Sequence, residues 1–402
     1  MNSRTSFPRP HTPGSTPRCL LLSQVFPPAV GGSGILLDNV YSRLTDAEVV
    51  AVIDAATAAA GNGAARTKHV LRTRIDPQSW GLADPRAWPG QLQLARLCYR
   101  WAGRGRGVVH CGRAQPEGVP AYLASLMPAG PRYVFWAHGE DISAARSSRQ
   151  FSATMRLIYG GASAAIANSR NTARLIESTG WLRSPIHVVY PGVNATLFHP
   201  DADDGTLRRT LAPEGSIVLL SVARLQKRKG HDLVLKALPA LRREFPQIRY
   251  VIVGDGNERQ ALMTLASELG VADVVLFRGE VGDAQLPAYF AACDIFLLPT
   301  RVEAYDFEGF GIVYLEAAAA GKPCIGGRNG GVPEAVLEGE TGLLVSGLDV
   351  EELRGAIARL ASSETLRRQL GHAGMLRARR DFTWHRAADM IAGIHRDVTA
   401  VR

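Results

Sequence analysis

Two glutamates with seven residues between them, Glu308 and Glu316, bracket the segment Phe307-Glu308-Gly309-Phe310-Gly311-Ile312-Val313-Tyr314-Leu315-Glu316, which continues into Ala317–Ala320 and Gly321. Glycines at 309 and 311 let the backbone come close to a ligand, and the alanine run reads as a helix. The first N–H groups of a helix have no partner within it, so the amides of Phe310, Gly311 and Ile312 form a cradle for phosphate. Glu308, just ahead of the helix, can accept hydrogen bonds from hydroxyls. Glu316, further along the same helix, is placed for a ribose diol. Together these suit a sugar nucleotide. Spacing alone would not establish it, since about one such pair is expected by chance in a chain this rich in glutamate; the context makes it specific.

A second cluster lies upstream. Ser221-Val222-Ala223-Arg224-Leu225-Gln226-Lys227-Arg228-Lys229-Gly230 places four cations after an apolar run and before a helical stretch, where open α/β sheets bind ligands. Earlier in the chain, Phe26-Pro27-Pro28-Ala29-Val30-Gly31-Gly32-Ser33-Gly34 ends a first apolar run with a glycine turn that can admit phosphate or merely turn the chain. His138 in Trp136-Ala137-His138-Gly139-Glu140-Asp141 stands at another strand end beside two acids, a better position for chemistry than for a purely structural imidazole.

The elements that must carry these residues alternate. Strand candidates are Cys19–Leu22, Val49–Ile53, Val70–Ile75, Val108–Cys111, Tyr133–Ala137, Ala164–Ala167 and His187–Tyr190, separated by helical stretches such as Ala87–Gly103 and Asn171–Thr179. A turn-rich bridge from Tyr190 to Gly205 follows, and the rhythm restarts with Ile217–Val222, Tyr250–Val253, Val274–Phe277, Ile295–Leu298, Cys324–Gly326 and Leu343–Val345. The βαβ alternation predicts two parallel-sheet domains, which the length of 402 residues accommodates. We place the first at 18–196 and the second at 197–383, with residues 1–17, polar and Pro/Ser/Thr-rich, as a disordered tail or a misplaced start.

With the apolar run Asp294–Pro299 before it and the loops Gly321–Gly327 and Gly330–Glu334 after it, the Glu308 segment resembles the retaining glycosyltransferases of family 4, and within them the bacterial mannosyltransferases that build phosphatidylinositol mannosides. The resemblance covers Cys19 to Trp384 and is strongest after Pro191. It implies the GT-B fold, two Rossmann-like domains facing across a cleft, with a C-terminal helix over 384–402 crossing back onto the first. It further implies that Arg224 and Lys229 neutralise a donor diphosphate and that Gly309, Phe310, Gly311, Ile312 and Glu316 hold the donor. Val281, in Arg278–Gly282, lines the base pocket, Gly32 approaches the donor, and His138 lies beside the reacting sugar, while Glu140 and Asp141 are weaker candidates for the acceptor. Lys227 and Arg228 fit a solvated loop equally well. Arg328, ahead of Gly330-Gly331, departs from the pattern. The donor implied is GDP-mannose, with UDP-sugars open. A sugar-nucleotide 2-epimerase on the same fold and a silent partner subunit are the rivals from other classes.

Composition narrows the partners. Residues 1–196 hold 21 Lys and Arg against 10 Asp and Glu, whereas residues 197–402 hold 25 against 27. A basic half attracts anionic lipid or an anionic acceptor, or it is an arginine-rich solvated face. Arg96, Arg100, Arg104 and Arg106 beside Trp88 and Trp101 are the candidate membrane contacts, for a glycolipid or polysaccharide-precursor acceptor. No recognisable nucleic-acid motif accompanies the charge. Five scattered cysteines, Cys19, Cys98, Cys111, Cys293 and Cys324, read as reduced core residues, and Asp201-Ala202-Asp203 reads as linker, so no metal and no cofactor is expected. No apolar run reaches membrane-spanning length, and a cytoplasmic protein, at most peripheral on the inner membrane face, is expected.

Overall fold

Short runs of Val, Ile, Leu and Ala with no polar alternation are the pattern of parallel strands covered on both faces, and they form two parallel sheets here. The computed structural model describes residues 18–27, 31–54, 65–67, 69–73, 86, 88–146, 148–304 and 306–400; the tail expected over 1–17 lies outside them. The first sheet contains β1 (Arg18–Ser23), β2 (Glu48–Asp54), β3 (Val70–Thr73), β4 (Gly107–Cys111), β5 (Arg132–Ala137), β6 (Ala164–Ala167) and β7 (Ile186–Val188) in the order β3-β2-β1-β4-β5-β6-β7. The second contains β8 (Val218–Val222), β9 (Arg249–Val253), β10 (Val275–Gly279), β11 (Ile295–Leu298), β12 (Cys324–Gly327) and β13 (Gly342–Val345) in the order β10-β9-β8-β11-β12-β13. Every residue of β1, β4, β8 and β11 is buried.

The chain divides into one unit of residues 1–190 with 384–402 and a second of 191–383. Residues 191–196, expected in the first domain, group with the second because Val193 N–H donates to Phe382 O at 2.9 Å. In the first unit, Leu20, Leu22, Val109 and Phe135 of the sheet pack against Leu94, Cys98 and Trp101 of the helix Trp88–Ala102. In the second, Leu219, Tyr250, Ile252 and Leu297 pack against Val234, Leu238 and Leu241 of the helix His231–Glu244 and Leu353 and Ile357 of the helix Val350–Ser362. Each sheet thus has a dry face on which helices are fixed, which is what holds its strand ends in place. All five cysteines are buried and free.

The opposite face of the first sheet carries a polar chain. Trp136 Nε1–H donates to Tyr41 Oη at 3.0 Å, and Tyr41 Oη lies 2.8 Å from His110 Nδ1. His110 Nε2 meets His395 Nδ1 at 3.1 Å, tying the helix Trp384–Ala400 to β4. Assigned along this direction, the tyrosine proton goes to His110 Nδ1 and the His110 proton to His395, so His395 carries its own proton on Nε2, which is buried without an acceptor among the described residues. Cys19 Sγ lies within 4.8 Å of one ring nitrogen of each histidine, a grouping made by three distant segments that no sequence spacing could announce.

Burial, then the Arg396 charge, pushes the His395 pKa down to about 4, and His110 is held low by burial and by His395. A histidine with a folded pKa below its unfolded value of about 6.5 binds fewer protons folded than unfolded, so its stability contribution is present above pH 6.5 and lost as pH falls toward 4. For His395 this amounts to on the order of 3 kcal/mol. Melting temperature should therefore drop steadily between pH 6.5 and 4. His395→Asn, whose amide oxygen can still accept from His110, should flatten that slope; identical slopes would mean that the ring is not held neutral.

Candidate active site

In the second sheet the chain order reverses between β8 and β11, and the loops leaving those two strands meet at the crevice where open α/β sheets take ligands. The loop after β8 forms a single 3-10 turn, Lys227–Lys229, closed by Gly230 at φ 76°. A side chain at Gly230 would run into the Pro299 carbonyl at the end of β11, so glycine is what lets the cationic turn lie directly on the neighbouring strand end. The loop after β11 brings Glu308 back over that turn.

Four charges meet there. Lys229 Nζ lies 2.5 Å and Arg228 Nη1 3.3 Å from Glu308 Oε2, while Arg228 Nε lies 2.7 Å from Asp306 Oδ2. The side chains of Lys229, Arg228 and Glu308 are only 12–13% exposed. Burial pushes the Glu308 carboxyl up, and the Lys229 and Arg228 charges with their hydrogen bonds more than reverse it, holding the group below the usual carboxylate range. Arg228, which the sequence could not distinguish from a solvated loop residue, is thus part of the cluster. Its position next to Lys229 was visible, but the direction of its side chain is set by the turn. Arg224 is exposed, with no side-chain partner recorded among the described residues. Lys227 is exposed as well.

Beyond Glu308 the chain enters the helix Ile312–Ala319 through Gly311 at φ 89°, where a side chain would strike the Tyr314 ring. The Gly311 and Ile312 amides have no backbone acceptor among the described residues. Phe310 is buried 5.7 Å from Phe382, so it offers a ligand backbone rather than its ring. The loop is braced from below, where Gly331 N–H donates to Glu308 O at 2.9 Å beside Gly309. Arg328 does not enter the site: its Nη2 contacts Leu344 O at 2.5 Å and Glu352 Oε1 at 3.0 Å.

Glu316 is a buried carboxyl on a helix otherwise lined by Tyr314, Leu315 and alanines. Burial, with a smaller push from Asp283, raises its pKa to about 8. Asp283 is two residues from Val281 on the loop after β10, so the base-pocket candidate and Glu316 approach each other, and Val281 is half-buried. Asp203 accepts from Leu207 and Arg208 N–H and caps the helix Thr206–Leu211.

In the first unit the reversal falls between β1 and β4. Gly32 begins the helix Gly32–Tyr41 after β1 and is exposed. His138 follows β5; its Nε2 lies 2.9 Å from Gly112 O after β4, and a carbonyl can only accept, so the proton sits on Nε2 and Nδ1 keeps a lone pair. Burial and then Arg113 lower the His138 pKa, against Asp141 and the Gly112 hydrogen bond, leaving a neutral imidazole rather than the cation that stabilising negative charge would call for. Asp141 Oδ1 accepts from His138 and Gly139 N–H, and Glu140 pairs with Arg113 at 3.2 Å. Glu117, which the sequence did not single out, is buried with Oε1 accepting from Gln24 N–H at 2.7 Å, and burial pushes it up to about 7. It clamps the loop after β1 to the loop after β4. A lone glutamate in a Pro- and Gly-rich loop was its only signal.

The two glutamates of the second unit should differ in stability with opposite sign. Glu316, with its folded pKa raised, contributes stability below its unfolded value and loses it as pH rises toward 8, a penalty on the order of 4 kcal/mol at pH 8. Glu308, with its pKa depressed, contributes above its unfolded value and loses it as pH falls. Glu316→Gln should thus raise the melting temperature at pH 8 and leave it unchanged at pH 4.5. Glu308→Gln at pH 8 should lower stability by about 2 kcal/mol by stranding two cations. A Glu316→Gln variant melting with wild type at both pH values would show a solvated carboxylate.

Comparison with known proteins accounts for this geometry. The family description "Glycosyl transferases group 1" matches residues 204–377, and "Glycosyltransferase Family 4" matches residues 30–197. The chain is 33% identical over 394 residues, 96% of its length and all of the relative's, to the GDP-mannose-dependent alpha-(1-6)-phosphatidylinositol monomannoside mannosyltransferase of Mycobacterium tuberculosis. It is 35% identical over 288 residues, 69% of its length and 75% of the relative's, to the protein of the same description from Mycolicibacterium smegmatis. Among solved structures, HepE of Anabaena in complex with UDP superposes with a TM-score of 0.78 at 21% identity, covering 94% of this chain and all of that one. Two parallel α/β units, a cationic turn and a glycine-rich loop meeting at a strand-order reversal, and matches over both halves make this chain a member of the family 4, group 1 glycosyltransferases with the GT-B fold.

Proposed function

We propose that this glycosyltransferase moves mannose from GDP-mannose, with retention of configuration, to a lipid-linked or polysaccharide-precursor acceptor. The observation that carries the reading is the Glu308 carboxylate held ionised by Lys229 and Arg228 beside the open amides of Gly311 and Ile312. An arriving diphosphate meets cations and helix amides at once, and a fixed carboxylate faces the sugar hydroxyls. The mannose donor is favoured by the full-length relative that is described as GDP-mannose-dependent.

The chemistry follows from that arrangement. The bond between the anomeric carbon and the diphosphate oxygen breaks, and the electron pair leaves with the diphosphate, whose charge Arg224, Lys229 and the amides offset. The acceptor oxygen forms its bond to the anomeric carbon on the same face and passes its proton to the departing phosphate, so no dedicated base is required. Glu308 orients the sugar hydroxyls, Glu316 takes the ribose diol, and Val281 offers backbone to the base. His138, neutral with a free Nδ1 lone pair, offers a hydrogen-bond acceptor to a hydroxyl. The acceptor is assigned to the first unit.

The same basic unit supports docking on an anionic membrane. Arg96, Arg100, Arg104 and Arg106 are exposed, and so are Leu92, Leu126 and Met127. Tyr99 Oη donates to Pro128 O and Arg104 N–H to Ala129 O, joining the two loops into one surface. Trp101 does not belong to it: the ring is buried in the core under the Arg18 guanidinium, 4.9 Å away. Among the described residues no helix is long and apolar enough to cross a membrane.

In a donor panel with membrane extract as acceptor, GDP-mannose should be consumed faster than UDP-glucose, UDP-galactose or UDP-N-acetylglucosamine; a UDP-sugar preferred over it would overturn the donor. With the preferred donor, Glu308→Gln should lower kcat and Glu316→Gln should chiefly raise donor KM. The reverse pattern would mean that the carboxylates are misplaced. Vesicles containing anionic lipid should sediment the protein at low salt and release it as salt rises, each arginine contributing about 1 kcal/mol. Changing the four arginines to Ser should abolish the binding, and equal sedimentation with neutral vesicles would leave this face merely solvated.

A further inference from the structure

The loop that presents Glu308 is fastened at both ends by arginines. Arg301, only 6% exposed in its side chain, spans from Asp232 at 2.9 Å to Glu303 at 2.8 Å and fixes the start of the loop to the helix His231–Glu244. Glu303 and Asp306 then exchange backbone hydrogen bonds at 2.9 and 2.8 Å around Ala304, which sits at φ 51°, a left-handed conformation that a non-glycine residue adopts only when its surroundings enforce it. Arg228 fastens the other end, with Nε on Asp306 and Nη1 on Glu308. The Arg228 carbonyl in turn accepts from Arg301 N–H at 2.9 Å, which closes the circuit.

We propose that Arg228 is a positioning residue of the transfer reaction, holding the Glu308 carboxylate in place through a guanidinium that is itself ion-paired with Asp306. Lys229 and Arg228 share one oxygen of Glu308 but play different parts. A lysine is a point charge on a flexible stem, so its contact with Glu308 neutralises without orienting, and it can turn to an arriving diphosphate. The planar guanidinium, hydrogen-bonded to Glu308 through Nη1 and ion-paired at Nε with Asp306, presents two nitrogens of one rigid plane to two carboxylates on one loop. When the donor phosphates draw on Lys229, Arg228 is the partner that keeps Glu308 ionised and aimed at the sugar. The groups facing Glu308 are Lys229 and Arg228 from the turn after β8, Asp306 from its own loop through Arg228, and the Tyr314 phenol from the helix behind it.

This inference rests on the reading that Glu308 orients the donor sugar, and the experiment separates the two. Arg228→Lys, Arg228→Gln, Asp306→Asn and Glu308→Gln are assayed with the sugar nucleotide that wild type turns over, and their affinities for GDP and UDP are measured alone. Arg228→Lys keeps the charge and loses the two-carboxylate bridge, so kcat should fall at least tenfold while nucleotide affinity stays within threefold. Asp306→Asn should lower kcat in the same direction by a smaller factor. Arg228→Gln also removes a cation from Glu308, so the acidic limb of its kcat profile should move to higher pH. Wild-type kcat in Arg228→Lys, together with an impaired Glu308→Gln, would overturn the positioning role and leave the reading of Glu308 standing. Wild-type kcat in Glu308→Gln would overturn that reading itself. A tenfold loss of nucleotide affinity in Arg228→Lys with unchanged kcat would make Arg228 a phosphate ligand and equally overturn the inference. Should Arg228→Gln melt below assay temperature, Arg228→Lys and Asp306→Asn decide the matter.

Discussion

A carboxylate cannot be withdrawn from water and remain charged unless cations or hydrogen-bond donors replace its hydration, and at Glu308 the second unit meets that requirement with cations. The group stays ionised because Lys229 and Arg228 converge on one of its oxygens from a turn that belongs to the adjacent central strand. That convergence needs β8 and β11 to be neighbours, the turn after β8 to lie flat on the end of β11, and the loop after β11 to double back. Gly230 meets the second condition, and the Arg301 and Arg228 bridges meet the third. The dry helical layer under the sheet keeps the two strand ends from drifting apart.

The same site contains a group left in the opposite condition. Among the described residues no cation offsets the burial of Glu316, which makes its charged form costly. A sequence selected only for stability would place an alanine or leucine there, as it does on either side. Binding sites tolerate such costs because a ligand hydroxyl can supply the hydrogen bonds that the fold withholds. Glu308 and Glu316, alike in type and separated by less than one short helix, thus differ in charge state because one faces a cationic turn and the other faces apolar neighbours.

Sequence gave access to the parts of this arrangement that are local. The strands were legible because fully buried parallel strands are continuous apolar runs, and Glu308, Lys229 and Glu316 were legible because glycines and cations at strand ends have few other uses. Strand order was not, since β1 beside β4 and β8 beside β11 are decided by crossovers that leave no local mark. Arg228 sits in a run of three cations, and adjacency alone does not say which of them reach Glu308. Trp101 is a different case, because the signal was present. Leu94, Cys98 and Trp101 recur at helical spacing on one buried face, opposite Arg96 and Arg100, so a period count would have assigned the ring to the core.

The two units use the same topological position with opposite electrostatics. In the second, pairing preserves charge: Lys229, Arg228 and Glu308 are held as ions by one another. In the first, burial suppresses it: His138 is neutral, Glu117 is pushed to about 7, and the Arg113 charge is partly spent on Glu140. A neutral imidazole with its proton fixed on Nε2 by the Gly112 carbonyl offers one acceptor in one direction, which suits a hydroxyl and serves a phosphate poorly. Protonating His138 would convert that acceptor into a second donor and add a charge beside Arg113. The hydrogen bond to Gly112 therefore does more than orient the ring, since with burial and Arg113 opposing the charge it selects the tautomer in which Nδ1 keeps its lone pair as a hydrogen-bond acceptor.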